Sequence, residues 1–236
     1  MIEIVPETGS TNADIASRIT GGEHLPEGHW LVADRQTAGR GRQGRDWFDG
    51  AGNFMGSTIV TIGERDPAPS SLALVVGLGV YETVQACVPN PAELSLKWPN
   101  DLLLAGAKLA GILLERVADK VVVGIGVNLV ASPQLPDRKT ISLKGIGAAV
   151  DRDVFANNLA ASLDAELERW RTYGLDTIIR RWEAAAHPVG TPLKVHEPDA
   201  SIVEGQFQGL TPDGAMRLRL ADGTIRAIHA GDVFLG

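Results

Sequence analysis

A single cysteine, Cys87, in a chain of 236 residues excludes an internal disulfide and any metal site built from paired cysteines. Basic surplus is also missing: 22 Lys and Arg stand against 29 Asp and Glu, for a formal charge of -7. Proteins that grip DNA or an anionic membrane draw much of their affinity from an excess of cations over phosphates, so neither partner is expected. Long apolar runs are absent too. The most apolar stretch, Leu72 to Val80, is too short to cross a bilayer. The first residues, MIEIVPETGSTNADIA, lack the basic start and apolar segment of a signal peptide. These absences together predict a reduced, cytoplasmic setting.

What is present reads as two textures. Up to about residue 186 the pattern alternates between strands and helices. Ser10 or Thr11 suits a helix N-cap, with Ile15 and Ile19 four apart behind it. Trp30 to Ala33, Asn53 to Thr61, Leu94 to Trp98, Asp101 to Leu104, Leu109 to Glu115 and Val121 to Val127 read as strands. Leu72, Val75, Val76, Val80 and Val84 repeat at helical spacing. Phe155, Leu159, Leu163, Leu167 and Trp170 do the same on a helix starting near Asp151, and a short helix carries Ile178, Ile179 and Trp182. After His187-Pro188, short β-like runs are separated by Pro-Asp-Gly and Asp-Gly turns, the signature of a small all-β barrel. The expected division is 1–186 and 187–236.

The segment from Gln36 to Arg45 concentrates Arg40, Arg42 and Arg45 in an otherwise acidic protein, spaced by Gly39, Gly41 and Gly44. Glycine lets backbone approach a ligand closely, and guanidinium forks bind phosphate oxygens while keeping their charge. The loop therefore suits a phosphate-bearing ligand. It lacks the lysine and hydroxyl of a P-loop, which makes a Walker-type nucleotide site a poor reading. The alternative is a solvated basic loop, against which stands the mutual repulsion of three close arginines.

Read as Gln36-Thr-Ala-Gly-Arg-Gly-Arg-Gln-Gly-Arg-Asp-Trp47, this segment resembles the signature loop of biotin–protein ligases. Three further motifs resemble the same family in the same order. They are Ser10-Thr-Asn12, the box Lys97-Trp-Pro-Asn-Asp101, and Lys108-Leu-Ala-Gly-Ile-Leu-Leu-Glu115. Gly124-Ile-Gly-Val-Asn128 resembles the family's Gly-Ile-Gly-x-Asn segment; the resemblance implies that Gly111, Gly124 and Gly126 leave room for the ligand.

The resemblance implies an α+β fold: a mixed sheet with packed helices, like class II synthetases and biotin/lipoate ligases, followed by a small SH3-like β domain. It implies a ligase that uses ATP and Mg²⁺ to form biotinyl-5′-AMP and passes biotin to a lysine of a biotin carboxyl carrier domain. Implied catalytic residues are Lys108, Arg40 and Asp101, with Asp101 also a candidate Mg²⁺ ligand. Ser10, Thr11, Asn12, Gln36, Gly39, Arg40, Gly41, Arg42, Lys108, Gly111, Ile112 and Gly124 are implied biotin contacts. Arg40, Arg42, Arg45, Trp47, Lys97, Asn100, Asp101, Lys108 and Asn128 are implied on the ATP side. Trp47 would pack on the adenine, order the loop or simply be buried, whereas Trp98 is expected to be structural. Some relatives carry a DNA-binding module ahead of the Ser-Thr-Asn element. That element begins here at Ser10, so no DNA partner is expected, and the chain is expected to act as a monomer or homodimer. A lipoate–protein ligase is the nearest rival, but a dithiolane ring needs no partners for a urea.

Overall fold

A computed structural model describes all of residues 1–236. Seven strands form the main sheet: β1 (Ile2–Val5), β2 (Trp30–Ala33), β3 (Phe54–Thr61), β4 (Leu94–Lys97), β5 (Asp101–Leu104), β6 (Ala107–Val117) and β7 (Lys120–Val127). Their order is β1-β2-β3-β7-β6-β5-β4, with β1 and β2 parallel and every other neighbour antiparallel. The mixed sheet matches the sequence expectation. Strand β1 was not foreseen, because four residues ahead of a Pro give too little alternation to read.

Helices cover both faces. On one lies α1 (Thr11–Thr20), where Ile15 meets Leu31, Ile59 and Val122 in a small cluster. Ser10, not Thr11, is the N-cap, accepting from the amide of Ala13. The other face carries α2 (Leu72–Gln85), α3 (Arg152–Tyr173) and α4 (Leu175–Ala185) over the large core. Asp151 caps α3 by accepting from the amides of Asp153 and Val154, at 3.0 and 2.9 Å. The five residues from Phe155 to Trp170 that the spacing put on one stripe are all buried. Helices α2 and α3 cross at Gly79, where an added Cβ would lie 3.2 Å from Leu163 Cα.

The tail forms a second sheet from β8 (Pro192–His196), β9 (Ile202–Leu210), β10 (Met216–Arg219), β11 (Ile225–Ile228) and β12 (Asp232–Leu235), all antiparallel in the order β11-β10-β9-β8-β12. The turns at Gly214 and Gly223 both need φ near +86°, which the Asp-Gly pairs provide. Leu193, Val195, Phe207, Met216 and Val233 are continuous with the core of the larger sheet. The indole of Trp98 donates to Gly214 O at 3.2 Å, so this residue ties the two sheets together.

His187 lies at that junction, 5% exposed, its ring edge-on to Phe207 at 4.5 Å and neither ring nitrogen hydrogen-bonded. Burial pushes its pKa down to about 4 from an ordinary 6.5. A depressed histidine is neutral in the fold while the unfolded chain protonates. Stability is therefore lost as pH falls through 6.5 towards 4. Replacing His187 by Phe should flatten the fall in melting temperature across that window, measured by calorimetry at stepped pH.

Candidate active site

The chain's motifs converge because strand ends and one loop meet at the same edge of the main sheet. The Arg-Gly loop leaves β2 and folds back on itself: Gly41 N–H donates to Arg45 O at 2.7 Å and Trp47 N–H to Gly39 O at 2.9 Å. Its tip turns at Gln43 and Gly44, with φ of 57° and 72°. This hairpin delivers the Trp47 indole onto β6 and β7. A Cβ at Gly111 would meet the ring at 2.9 Å, and one at Gly126 would overlap it. Gly124 likewise makes way for the amide of Asn12. In the sequence reading the glycines at 111, 124 and 126 make room for the ligand. The structure shows that space holding Trp47 and Asn12.

A cavity of about 520 Å³ opens there, well sized for a small ligand. Of the residues singled out from sequence, Ser10, Asn12, Gln36, Arg40, Gly41, Arg42, Arg45, Trp47, Lys97, Asn100, Asp101, Lys108, Gly111, Ile112, Gly124 and Asn128 line it. Thr11 and Gly39 stand one layer behind. Thr11 donates from its amide to Gln36 Oε1 at 2.8 Å, and Gly39 packs on Gln36 and Trp47.

At the cavity's centre is Asp101, 6% exposed. Lys108 Nζ lies 2.6 Å from one carboxylate oxygen and Lys97 Nζ 2.9 Å from the other. Burial alone would raise this pKa, but the two ammonium groups, Lys108 first, outweigh it and hold the acid well below its ordinary range. Lys108 also sits 5.7 Å above the Trp47 ring, a cation–π distance. Lys97 donates to Val233 O at 2.7 Å. Arg42 donates to Asn100 Oδ1 at 3.1 Å and to Gly231 O at 3.3 Å. Burial lowers the Arg42 pKa, with Asp232 and Asp101 opposing, so this cation rests in a place that favours an arriving anion. Arg45 is ion-paired with Asp232. Asn128 donates to Ile141 O at 3.1 Å while its own Oδ1 is buried without a partner.

Several lining groups escaped the sequence reading. Arg138, stacked over Phe234 at 5.6 Å, comes from the segment after β7, and Asp232, Val233 and Phe234 come from the second sheet. No local pattern links residue 42 to residue 231; only the tertiary fold does.

The chain that carries this lysine–carboxylate–lysine cluster matches a known family. The model of the Biotin/lipoate A/B protein ligase family matches residues 8–129, and that of the Biotin protein ligase C terminal domain matches residues 192–236. The chain belongs to the biotin/lipoate A/B protein ligase family. The biotin–(acetyl-CoA-carboxylase) ligase of Mycobacterium tuberculosis is 36% identical, over 98% of this chain and 88% of the relative. The enzyme of the same name from Paracoccus denitrificans is 35% identical, over 99% and 100%. Among solved structures, the biotin protein ligase of Aquifex aeolicus in complex with biotin and ATP superposes with a TM-score of 0.87 at 25% identity, covering 100% and 99%. The fold is the α+β ligase fold with an SH3-like C-terminal β domain.

Within this ligase fold, Asp101→Asn removes the negative charge that lets two half-buried lysines coexist. The variant should lose about 3 kcal/mol or more at pH 7, the usual cost of breaking a buried pair. A carboxylate whose folded pKa is depressed stabilises above its unfolded value of 3.8 and stops doing so as pH falls. In urea titrations at stepped pH, the gap between wild type and variant should close below about pH 4.

Proposed function

We propose that the chain is an ATP-dependent biotin–protein ligase. It joins biotin to ATP as biotinyl-5′-AMP with release of pyrophosphate, then transfers biotin to a lysine of a biotin carboxyl carrier domain. The observation that carries this reading is the position of Lys108. Its ammonium is fixed by Asp101 in the cavity that the polar recess of Ser10, Asn12 and Gln36 shares with the cations of the Arg-Gly hairpin. The relatives named above, one of them solved with biotin and ATP, support it.

The recess suits the urea of biotin, which offers N–H donors and one carbonyl acceptor. Gly39, Gly41, Gly111, Ile112 and Gly124 would enclose the bicyclic ring, with Trp47 moving aside or stacking against it. The biotin carboxylate and the α-phosphate of ATP repel one another on approach. Lys108, Arg40 and Arg42 neutralise both, and Arg45, Lys97 and Asn100 steady the phosphates. The orphaned Asn128 Oδ1 offers an acceptor to the nucleotide. A cavity shielded by the hairpin keeps water from the mixed anhydride before an acceptor amine arrives.

Mg²⁺ would accompany the ATP phosphates, whose charge it would neutralise. Asp101 fits poorly as its direct ligand, since each oxygen already faces a lysine. No group of three or more acidic, His or Cys side chains stands ready for a metal. Asp101 is accordingly the counter-ion that orders Lys97 and Lys108, and its depressed pKa makes it a weak base for the acceptor amine. We divide the chain into a ligand-binding part, 1–186, and a β part, 187–236, whose Asp232, Val233 and Phe234 complete the ATP side.

Incubation with Mg-ATP, biotin and a biotin carboxyl carrier domain should add one biotin to the acceptor, read by intact mass. Lys108→Ala should lower the rate by about 10²–10³-fold, the typical loss for a charge contact of this kind. Transfer of lipoate in place of biotin would move the chain to the other branch of its family.

A further inference from the structure

The Asn12 amide stands between two groups that the ligand assignment leaves unused, Ser57 on β3 and Glu115 on β6. Asn12 Nδ2 donates to Glu115 Oε2 at 2.7 Å, and Asn12 Oδ1 accepts from Ser57 Oγ at 2.5 Å. Ser57 Oγ lies 2.7 Å from Thr11 Oγ1, which lies 3.0 Å from Gln36 Oε1. Ser57 is fully buried, and Glu115 has no ion-pair partner; its side chain's hydrogen bond is the one from Asn12. A chain of polar contacts thus runs Glu115–Asn12–Ser57–Thr11–Gln36 through the interior.

Its direction is set at one end. A carboxylate only accepts, so Asn12 must turn Nδ2 towards Glu115 and Oδ1 towards Ser57. The single hydroxyl proton of Ser57 is then committed to Asn12, Ser57 can only accept from Thr11, and the one hydroxyl proton of Thr11 is thereby withheld from Gln36 Oε1. Gln36 Oε1 already receives the Thr11 amide at 2.8 Å. The oxygens of Asn12, Ser57, Thr11 and Gln36 therefore hold more lone pairs than the two hydroxyls and one amide can fill. A neutral amide at position 115 would remove this constraint. It could donate to Asn12 Oδ1, turn Asn12 round and reverse every proton after it.

We propose that Glu115 is a positioning residue for the ring-binding recess: it fixes the proton polarity of this chain so that the recess presents acceptors and selects a ring bearing N–H donors. The inference rests on the ligase reading, in which that ring is the urea of biotin. Glu115 touches no substrate; it acts through Asn12 and Ser57.

The test is biotin binding to the full-length protein by calorimetry, with steady-state adenylation kinetics beside it. Glu115→Gln should weaken biotin about tenfold, as expected for losing one charge-assisted hydrogen bond's ordering, while KM for ATP and kcat stay near wild type. Asn12→Asp sets two carboxylates face to face and should weaken biotin further. The double variant Asn12→Asp, Glu115→Gln exchanges donor and acceptor, restores the polarity towards Ser57, and should recover much of the affinity. A purely structural role would instead give additive losses. Ser57→Ala breaks the chain one link on, should show the same selective loss of biotin, and serves if Glu115→Gln does not fold. Unchanged biotin affinity in Glu115→Gln, equal losses for biotin and ATP, or an additive double variant would overturn the inference alone. A wild-type protein that binds no biotin would remove the ligase reading, and the inference with it.

Discussion

One buried carboxylate holds two lysines that would otherwise repel each other inside a low-dielectric cavity. Asp101 begins β5, Lys97 ends β4 and Lys108 lies near the start of β6, so the ion cluster is a product of strand register. Removing two ammonium groups from water is costly unless an opposite charge lies within hydrogen-bond reach. The cluster therefore fixes how the last three strands of the main sheet meet. It also leaves an excess of positive charge facing the cavity, where the anionic ligands of this family would have to approach each other. In the proposed reaction, stability and catalysis would draw on the same atoms.

The second sheet extends that arrangement rather than standing apart from it. Lys97 donates to Val233 O, Arg42 to Gly231 O, and Arg45 pairs with Asp232. Three cations of the cavity are thus oriented by three residues of the turn into β12 and its start. Each of these partners is weak beside a phosphate: two are carbonyls, and the third is a carboxylate on a side chain 20% exposed. Guanidinium–phosphate contacts are the stronger kind. If a nucleotide binds as proposed, the hairpin would exchange these protein partners for its phosphates.

Much of this was legible in the sequence, and what was legible shares a property. Ser10-Thr-Asn12, the Arg-Gly loop and the Lys97 to Asp101 box are contiguous, because a strand end or turn delivers neighbouring residues to one place. The mixed sheet and its covering helices followed from periodicity, since the α3 stripe repeats over several turns and the strands are apolar and well punctuated. Strands β1 and β12 went unseen at four residues each, too short for alternation to rise above chance. Arg138, Ser57, Asp232 to Phe234 and the partnership of Glu115 with Asn12 went unseen for another reason. Their meaning lies in residues 45 to 187 positions away, such as Glu115 beside Asn12 and Asp232 beside Arg45.

The glycines show where sequence reasoning reached the right position with an incomplete cause. Glycine at 111, 124 and 126 does mark close approach to the strands β6 and β7. What approaches is the protein itself: the Trp47 indole over two of these sites and the Asn12 amide over the third. A pocket floor stripped of Cβ atoms can accept either a flat side chain or a flat bicyclic ligand, since both need the same few ångströms of clearance. Trp47 belongs to the hairpin that carries the arginines, so entry of a ring beneath it must shift that hairpin and its cations together. Steric occupation of one end of the cavity and charge placement at the other are in this way coupled through a single short loop.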